Sequence, residues 1–168
     1  MRNTTVLIMI LGAALSRWIP HAPNVTAVTA LALLGGSVIS PRALAVLAPV
    51  AALWLSDLVI GFHGTMLVVY GATALIAFFA SQKLKSNSSW GPLAIGSLSA
   101  SLFFFLVTNL GVWYLDTLYP HTADGLKTCF VMALPFLGNQ VLGDLFYTGV
   151  LFGTFQLVRA WKPQLVNE

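Results

Sequence analysis

Long apolar runs alternate with short polar breaks along almost the whole chain. The six runs fall near residues 3–19, 25–39, 42–60, 65–83, 91–114 and 137–161. Because a helix needs about 20 apolar residues to cross the hydrocarbon of a bilayer, the pattern predicts an all-α integral membrane protein with a six-transmembrane-helix bundle. The second run is shorter than the others, so we expect its helix either to tilt into a thin region of the bilayer or to pack within the bundle.

Proline, glycine and polar residues mark the breaks between the runs. Pro20 and Pro23 follow the first run, Pro41 follows the second, and the stretches QKLKSNSS and DTLYPHTADG flank the fifth. The segment 126–137 is apolar and contains Pro135 near its end. We interpret it as a short helix that leads into the last span, or as a kinked extension of that span.

The composition agrees with a membrane-embedded chain. Of the 168 residues, 58% are hydrophobic and only 8% are charged, whereas about 25% are charged in ordinary soluble domains. No polar stretch is long enough for a soluble domain, so a single transmembrane domain over residues 1–168 is predicted. The eight basic residues are scattered and form no patch for nucleic acid, and one cysteine, Cys129, allows no disulfide framework.

The basic residues also predict the orientation of the spans. With a cytoplasmic N-terminus, six of the eight lie inside and only Arg17 and Lys127 lie outside, which by the positive-inside rule favours an N-in/C-in topology. Tryptophan is stable at membrane interfaces, and four tryptophans fall at predicted span ends, namely Trp18, Trp90, Trp113 and Trp161.

Polar and ionisable side chains concentrate on the outer side of this topology. Charged groups at membrane depth are costly and usually face a partner or an aqueous cavity. We therefore predict an outward-facing substrate pocket, for which no metal or cofactor is required. Its candidate residues are Arg17, His21, Asn24, Asp57, His63, Asn109, Trp113, Cys129, Asn139 and Asp144.

The expected roles of these residues follow from their chemistry. Arg17 would pair with a substrate anion or with Asp144, the histidines and amides would form hydrogen bonds, and Trp113 would stack on the substrate. Asp57 is explained equally well as a carboxylate at a helix end near the interface. Cys129 is either a soft ligand for a metal or a corrinoid, or a small buried hydrophobe.

Small residues recur four positions apart, a spacing that lets membrane helices approach closely. We expect these pairs to pack the spans together or to dock a membrane partner. The pairs are Gly12 with Ser16, Ala48 with Ala52, Gly96 with Ala100, and Gly149 with Gly153.

Four stretches of the chain carry a resemblance to known proteins: SRWIPHAPNVTAVTALALLGG, LSDLVIGFH, TNLGVWY and GLKTCFVMALPFLGNQVLGDLFYTGVLFG. Together they resemble a family of small bacterial membrane proteins of unknown function that are described only as candidate transport proteins. That family in turn resembles the S components of energy-coupling-factor (ECF) vitamin transporters. The resemblance implies a six-helix, N-in/C-in bundle in the bacterial cytoplasmic (inner) membrane, which works with a transmembrane coupling subunit and two cytoplasmic ATPases.

The sequence therefore predicts a substrate-binding membrane transport protein that takes up a small, vitamin-like nutrient and carries out no covalent step. No phosphate-binding loop for nucleotide hydrolysis occurs in the chain. Two alternatives remain open. One is a membrane-embedded enzyme or metal-binding protein that uses the outer histidine and aspartate residues, and the other is a structural membrane subunit.

Overall fold

The computed structural model describes residues 1–166, and within that range the chain is all-α, with six α-helices and two short 3-10 helices. The α-helices are α1 (Arg2–Leu15), α2 (Val28–Val38), α3 (Arg42–Ile60), α4 (Met66–Lys83), α5 (Trp90–Leu115) and α6 (Ala123–Trp161). The 3-10 helices are Ser16–Trp18, directly after α1, and Pro163–Leu165, after α6.

Four helices, α3 to α6, are long and apolar enough to cross a membrane. This supports a multi-pass membrane protein. Helices α1 and α2 have 14 and 11 residues, which correspond to about 21 and 16 Å along the axis, less than the roughly 30 Å of bilayer hydrocarbon. The helix count agrees with the sequence, but length and composition identify only four of the six predicted spans as membrane-crossing.

The last helix differs from its prediction. Helix α6 is continuous over 39 residues, begins at Ala123 rather than near residue 137, and contains Pro135 in its interior. The segment 126–137 is therefore an extension of the last span, as the second of the two interpretations has it, and not a separate short helix. The side chain of Thr122 caps the N-terminus of α6 by accepting a hydrogen bond from the amide of Gly125. Proline is tolerated inside membrane helices because neighbouring groups can satisfy the freed carbonyl.

Helix α2 lies at the centre of the bundle. Ten of its eleven residues are buried, and it contacts all five other α-helices. A methyl group added at Gly35 would lie 2.7 Å from Cγ of Pro49 in α3, and one added at Gly36 would lie 2.8 Å from Cβ of Ala80 in α4. The short second run is therefore packed within the bundle, the second of the two alternatives, and its glycines permit the close approach of α3 and α4.

The outer surface of the long helices is apolar. Large hydrophobic side chains such as Leu67, Ile95, Leu142 and Phe146 are mostly exposed. So many exposed apolar side chains would be unfavourable in water, and they suit a surface that faces lipid. Their distribution is consistent with membrane insertion of the four long helices.

Hydrogen bonds join the ends of several elements at one end of the bundle. The side chain of Asn3 in α1 donates to the carbonyl of Ser40, between α2 and α3, and accepts from the Ser40 amide. The hydroxyl of Thr5 donates to the carbonyl of Leu165, 2.8 Å away. The N-terminus, the α2–α3 connection and the end of the described chain therefore lie on the same side.

Candidate functional site

An ion pair joins the first connection to the end of α3. Nη1 of Arg17 lies 2.8 Å from Oδ1 of Asp57, whose side chain is only 1% exposed, and the Arg17 side chain is 13% exposed. The same Nη1 donates a hydrogen bond to the Ser56 hydroxyl at 3.0 Å, while the Tyr70 hydroxyl of α4 donates to Oδ2 of Asp57 at 2.7 Å. The contact with Oδ1 itself has the distance of an ion pair but not the angles of a hydrogen bond.

This pairing corrects the expectation that Arg17 would pair with Asp144 or with a substrate anion. The charge of Arg17 is already balanced by Asp57. Asp57 is also not a solvated carboxylate at a helix end, because it is buried and receives the Tyr70 hydrogen bond. The ion pair therefore links the first connection to α3, and the Tyr70 hydrogen bond links Asp57 to α4.

Two further contacts hold the start of the first connection. The indole Nε1 of Trp18 donates to the carbonyl of Ser56 at 3.4 Å. The Ser16 hydroxyl donates to the carbonyl of Ala13 at 2.7 Å and lies 3.4 Å from the Tyr147 hydroxyl of α6. The chain after α1 is therefore fixed to α3 and α6 rather than free in solvent.

A second polar cluster surrounds Asp144 in α6, which is 2% exposed. The Ser101 hydroxyl of α5 approaches both Oδ2 of Asp144 at 2.6 Å and the carbonyl of Ser97 at 2.9 Å. The side-chain amide of Gln140, one turn before Asp144, donates to the carbonyl of Ser101 at 2.9 Å. Within residues 1–166 no basic side chain forms an ion pair with Asp144.

A small polar cavity of about 60 Å³ adjoins this carboxylate. The first connection contributes Asn24 and Thr26 to the lining, and Thr29, Gln140 and Asp144 complete its polar part. The Thr29 hydroxyl is buried without a hydrogen-bond partner, although it lies near the Asp144 carboxylate. The polar groups of the lining are thus one carboxylate, two threonine hydroxyls and the side-chain amides of Asn24 and Gln140.

The first connection closes over the cavity by packing on a glycine of α6. A methyl group added at Gly143 would lie 2.9 Å from Cα of Val25 and 3.3 Å from the amide nitrogen of Thr26. Asn24 has a φ of 63°, a left-handed conformation that asparagine tolerates better than most residues. Gly143 and Asn24 together allow the chain to turn and lie directly against α6.

The histidines do not gather at this cavity. His21 is exposed, and its Nδ1 lies 3.0 Å from the carbonyl of Ala22. His63 is exposed, with Nδ1 2.9 Å from the Thr65 hydroxyl. Among the described residues no group of three or more histidine, cysteine, aspartate or glutamate side chains could hold a metal ion, so the enzyme or metal-binding alternative gains no support from their placement.

Four other predicted site residues also lie away from the cavity lining. The Asn109 side chain donates to the carbonyl of Phe105 within its own helix at 2.7 Å, and Cys129 Sγ lies 3.5 Å from the carbonyl of Asn109. Trp113 donates to the carbonyl of Pro120 at 2.9 Å instead of facing a pocket. Asn139 is half-buried next to Gln140. Cys129 of α6 thus contacts the backbone of α5, and Trp113 links α5 to the α5–α6 connection, whereas the Asn109 side chain bonds only within α5.

Of the ten predicted residues, Asn24 and Asp144 line the cavity, and sequence reasoning missed the residues around them. Gln140 precedes Asp144 by four positions and so shares its helix face, a signal that pointed to it. Ser97 and Ser101 have the same spacing in α5, but serines are common in membrane helices. Nothing in the sequence indicated that Thr29 would face Asp144, because that depends on how α2 packs against α6.

Comparison with known proteins places the chain in a family but assigns no activity. No curated protein and no solved structure matches the chain, so the expected likeness to S components gains no support here. One family model, described as a family of unknown function (DUF6580), matches residues 1–165. Membership in a family of unknown function, which the quoted motifs indicated, is confirmed, and the chain belongs to this family.

Proposed function

We propose that this protein is a substrate-binding membrane transport protein that takes up a small nutrient through the cavity beside Asp144. The observation that carries the proposal is a carboxylate, 2% exposed and without a basic partner within residues 1–166, beside a polar cavity. Carboxylates inside membrane bundles are costly, and they commonly mark the paths of substrates or ions. A role in packing alone would be served by an uncharged residue.

The depth of Asp144 supports this proposal. Helix α5 carries Trp90 at one end and Trp113 near the other, and Ser101 lies eleven residues from the first and twelve from the second. At 1.5 Å per residue these separations are about 16 and 18 Å. Since tryptophan favours the interfaces, we expect Ser101, and with it Asp144, near the middle of the bilayer, where many transporters bind their solutes.

The first connection offers a route to this depth. Helices α1 and α2 are too short to cross the hydrocarbon, and the backbone between Ile19 and Ala27 is non-helical and largely exposed. Irregular backbone at membrane depth is tolerated where it is buried in protein or lines a water-filled space. Asn24 is exposed and lines the cavity, so a solute in the water beside the first connection can reach the cavity at this residue.

The cavity restricts the chemistry of the solute. Its volume of about 60 Å³ is far below the roughly 300–1,000 Å³ of sites that enclose drug-sized ligands. In this conformation it accommodates a small group rather than a whole vitamin, and a larger nutrient requires the first connection to move away from Gly143. Because Arg17 is neutralised by Asp57, we propose that the inserted group is positively charged and pairs with Asp144.

We propose an N-in/C-in, six-helix S-component-like arrangement in the bacterial cytoplasmic membrane, with α3 to α6 as the membrane-crossing helices, as the setting for this uptake. The six-to-two distribution of basic residues supports this orientation. The joining of the N-terminus, the α2–α3 connection and Leu165 at one end agrees with it. A coupling subunit with two ATPases would supply the energy.

Solute binding by purified protein in lipid nanodiscs tests the proposal. Calorimetry with small cationic, neutral and anionic nutrients should find binding only among molecules with a positive group. Asp144→Asn should weaken that binding by roughly tenfold to a hundredfold, since charged hydrogen bonds contribute about 1.5–3 kcal/mol. Asp124→Asn, at the exposed start of the same helix, is the matched control and should bind normally.

Two results would contradict the proposal. Equal affinity of wild-type protein and the Asp144→Asn variant for a confirmed solute would remove Asp144 from the site. Failure of every cationic compound, in binding and in uptake by cells that carry the gene, would favour the structural-subunit alternative. Co-purification of a coupling subunit and ATPases would test the partners separately.

A further inference from the structure

An apolar groove of about 530 Å³ runs between α4 and α5, on a different face of α5 from the Asp144 cluster. Its floor is buried and includes Leu33 of α2, Ala80 and Ala100, while Phe79 and Ile95 at its edges are largely exposed. On α5, Ser99 faces the groove, and it lies about 200° around the helix from Ser97 at 100° per residue. The groove is therefore independent of the proposed solute site.

The groove has the length of one leaflet of a bilayer. On α5 its lining extends from Pro92 to Phe103, eleven residues or about 16 Å along the axis, and half of the hydrocarbon core is about 15 Å. The end of the groove at Pro92 lies close to Trp90, where α5 begins. The groove therefore runs from an interface to about the bilayer midplane, which is the path of one acyl chain.

Positive charge lies at the interfacial end of the groove. Lys83 belongs to its lining, and Lys85 follows in the α4–α5 connection, where it is exposed. The sequence has no aspartate or glutamate between residues 76 and 103, and no acidic group pairs with Lys83 in residues 1–166. Basic residues at the membrane end of an interhelical groove suit an anionic lipid headgroup.

The length and charge of the groove favour a single lipid chain over a partner helix. The groove is about as long as one leaflet and carries Lys83 at its interfacial end, which suits an acyl chain with an anionic headgroup. Gly96 and Ala100, spaced for close helix packing in the sequence, line this groove, and a methyl group placed at Gly96 would lie 3.2 Å from Leu84 Cδ1 and 4.0 Å from Leu33 Cδ2 of α2. Their small size creates the floor of the groove.

We propose that the α4–α5 groove binds an anionic phospholipid, with one acyl chain between Phe79 and Phe103 and the phosphate headgroup at Lys83 and Lys85. The lipid would fill the groove from a single leaflet. This site does not depend on the solute site at Asp144.

Native mass spectrometry of the full-length protein, released from detergent after incubation with equal amounts of dioleoyl phosphatidylglycerol and dioleoyl phosphatidylcholine, tests this proposal. Wild-type protein should retain one phosphatidylglycerol in clear preference to phosphatidylcholine. The K83Q/K85Q variant should lose that preference, by roughly fivefold for each lysine. Both lysines are exposed, so the variant should fold normally.

A second pair of variants tests the groove itself. Ser99→Trp fills the groove from its exposed edge and should abolish retention of both lipids. Leu98→Trp, at a neighbouring exposed position of α5 outside the lining, is the matched control and should retain phosphatidylglycerol. Equal retention of both lipids by wild type, an unchanged preference in K83Q/K85Q, lipid retention by Ser99→Trp, or a dimer in place of the lipid adduct would each overturn the proposal.

Discussion

Replacing Arg17 by glutamine leaves a buried carboxylate without its cation. Asp57 is 1% exposed, and after the change it keeps only the Tyr70 hydrogen bond to Oδ2. Removing one partner of a buried ion pair costs about 3–5 kcal/mol. The lower end applies here, about 3 kcal/mol, because Arg17 is 13% exposed and solvent already screens part of the interaction.

Removing the acidic partner instead should lower the free energy of unfolding by less. In Asp57→Asn the Arg17 guanidinium keeps its hydrogen bond to Ser56 and can turn toward solvent, so we expect a loss of about 2 kcal/mol. The double variant should lose about 3 kcal/mol, less than the sum of the single variants. The coupling of about 2 kcal/mol lies within the range measured for residues in contact.

Reversible unfolding in bicelles, driven by sodium dodecyl sulfate and followed by tryptophan fluorescence, measures these free energies. Arg42→Gln provides the control, because Arg42 is exposed at the start of α3 and should change stability by less than about 0.5 kcal/mol. Two results would refute the view that this ion pair holds the first connection against α3. One is additive effects of the single variants on the free energy of unfolding, and the other is a loss of less than about 1 kcal/mol in Arg17→Gln.

Three other changes test the packing in the same unfolding assay. Gly36→Ala should destabilise the protein by about 1–3 kcal/mol because the added methyl group would lie 2.8 Å from Ala80 Cβ. The control Gly71→Ala has open space around it and should be neutral or stabilising by up to about 1 kcal/mol. Equal effects of the two variants on stability would contradict the close α2–α4 contact. Thr122→Ala should lose about 1 kcal/mol through the N-cap of α6, with no loss in Thr122→Ser. Trp113→Phe should cost about 1 kcal/mol and leave solute binding unchanged; impaired binding would return Trp113 to the site.

Most bounds of the four long helices follow from the amino-acid sequence. Helix α3 matches the predicted range 42–60, α4 differs from its predicted range by one residue at its start, and α5 differs by one residue at each end. Helical hydrogen bonds are local, and the apolar runs end at prolines, glycines or polar stretches, so these bounds can be derived from the chain. Helix α6 is longer than the predicted run 137–161 because the helix accommodates Pro135, which agrees with segment 126–137 as an extension of the last span.

The contacts between polar groups depend on how the helices pack. Gln140 shares a helix with Asp144, so its proximity follows from spacing, but Ser101 and Thr29 come from α5 and α2, whose rotations relative to α6 are fixed by packing. Arg17 had two acidic residues as possible partners, and the ion pair forms with Asp57 because the chain after α1 turns toward α3 and α4. The hydropathy of a segment predicts whether it leaves water for the membrane. The partner of a buried charge depends instead on which helices are neighbours and which faces they share.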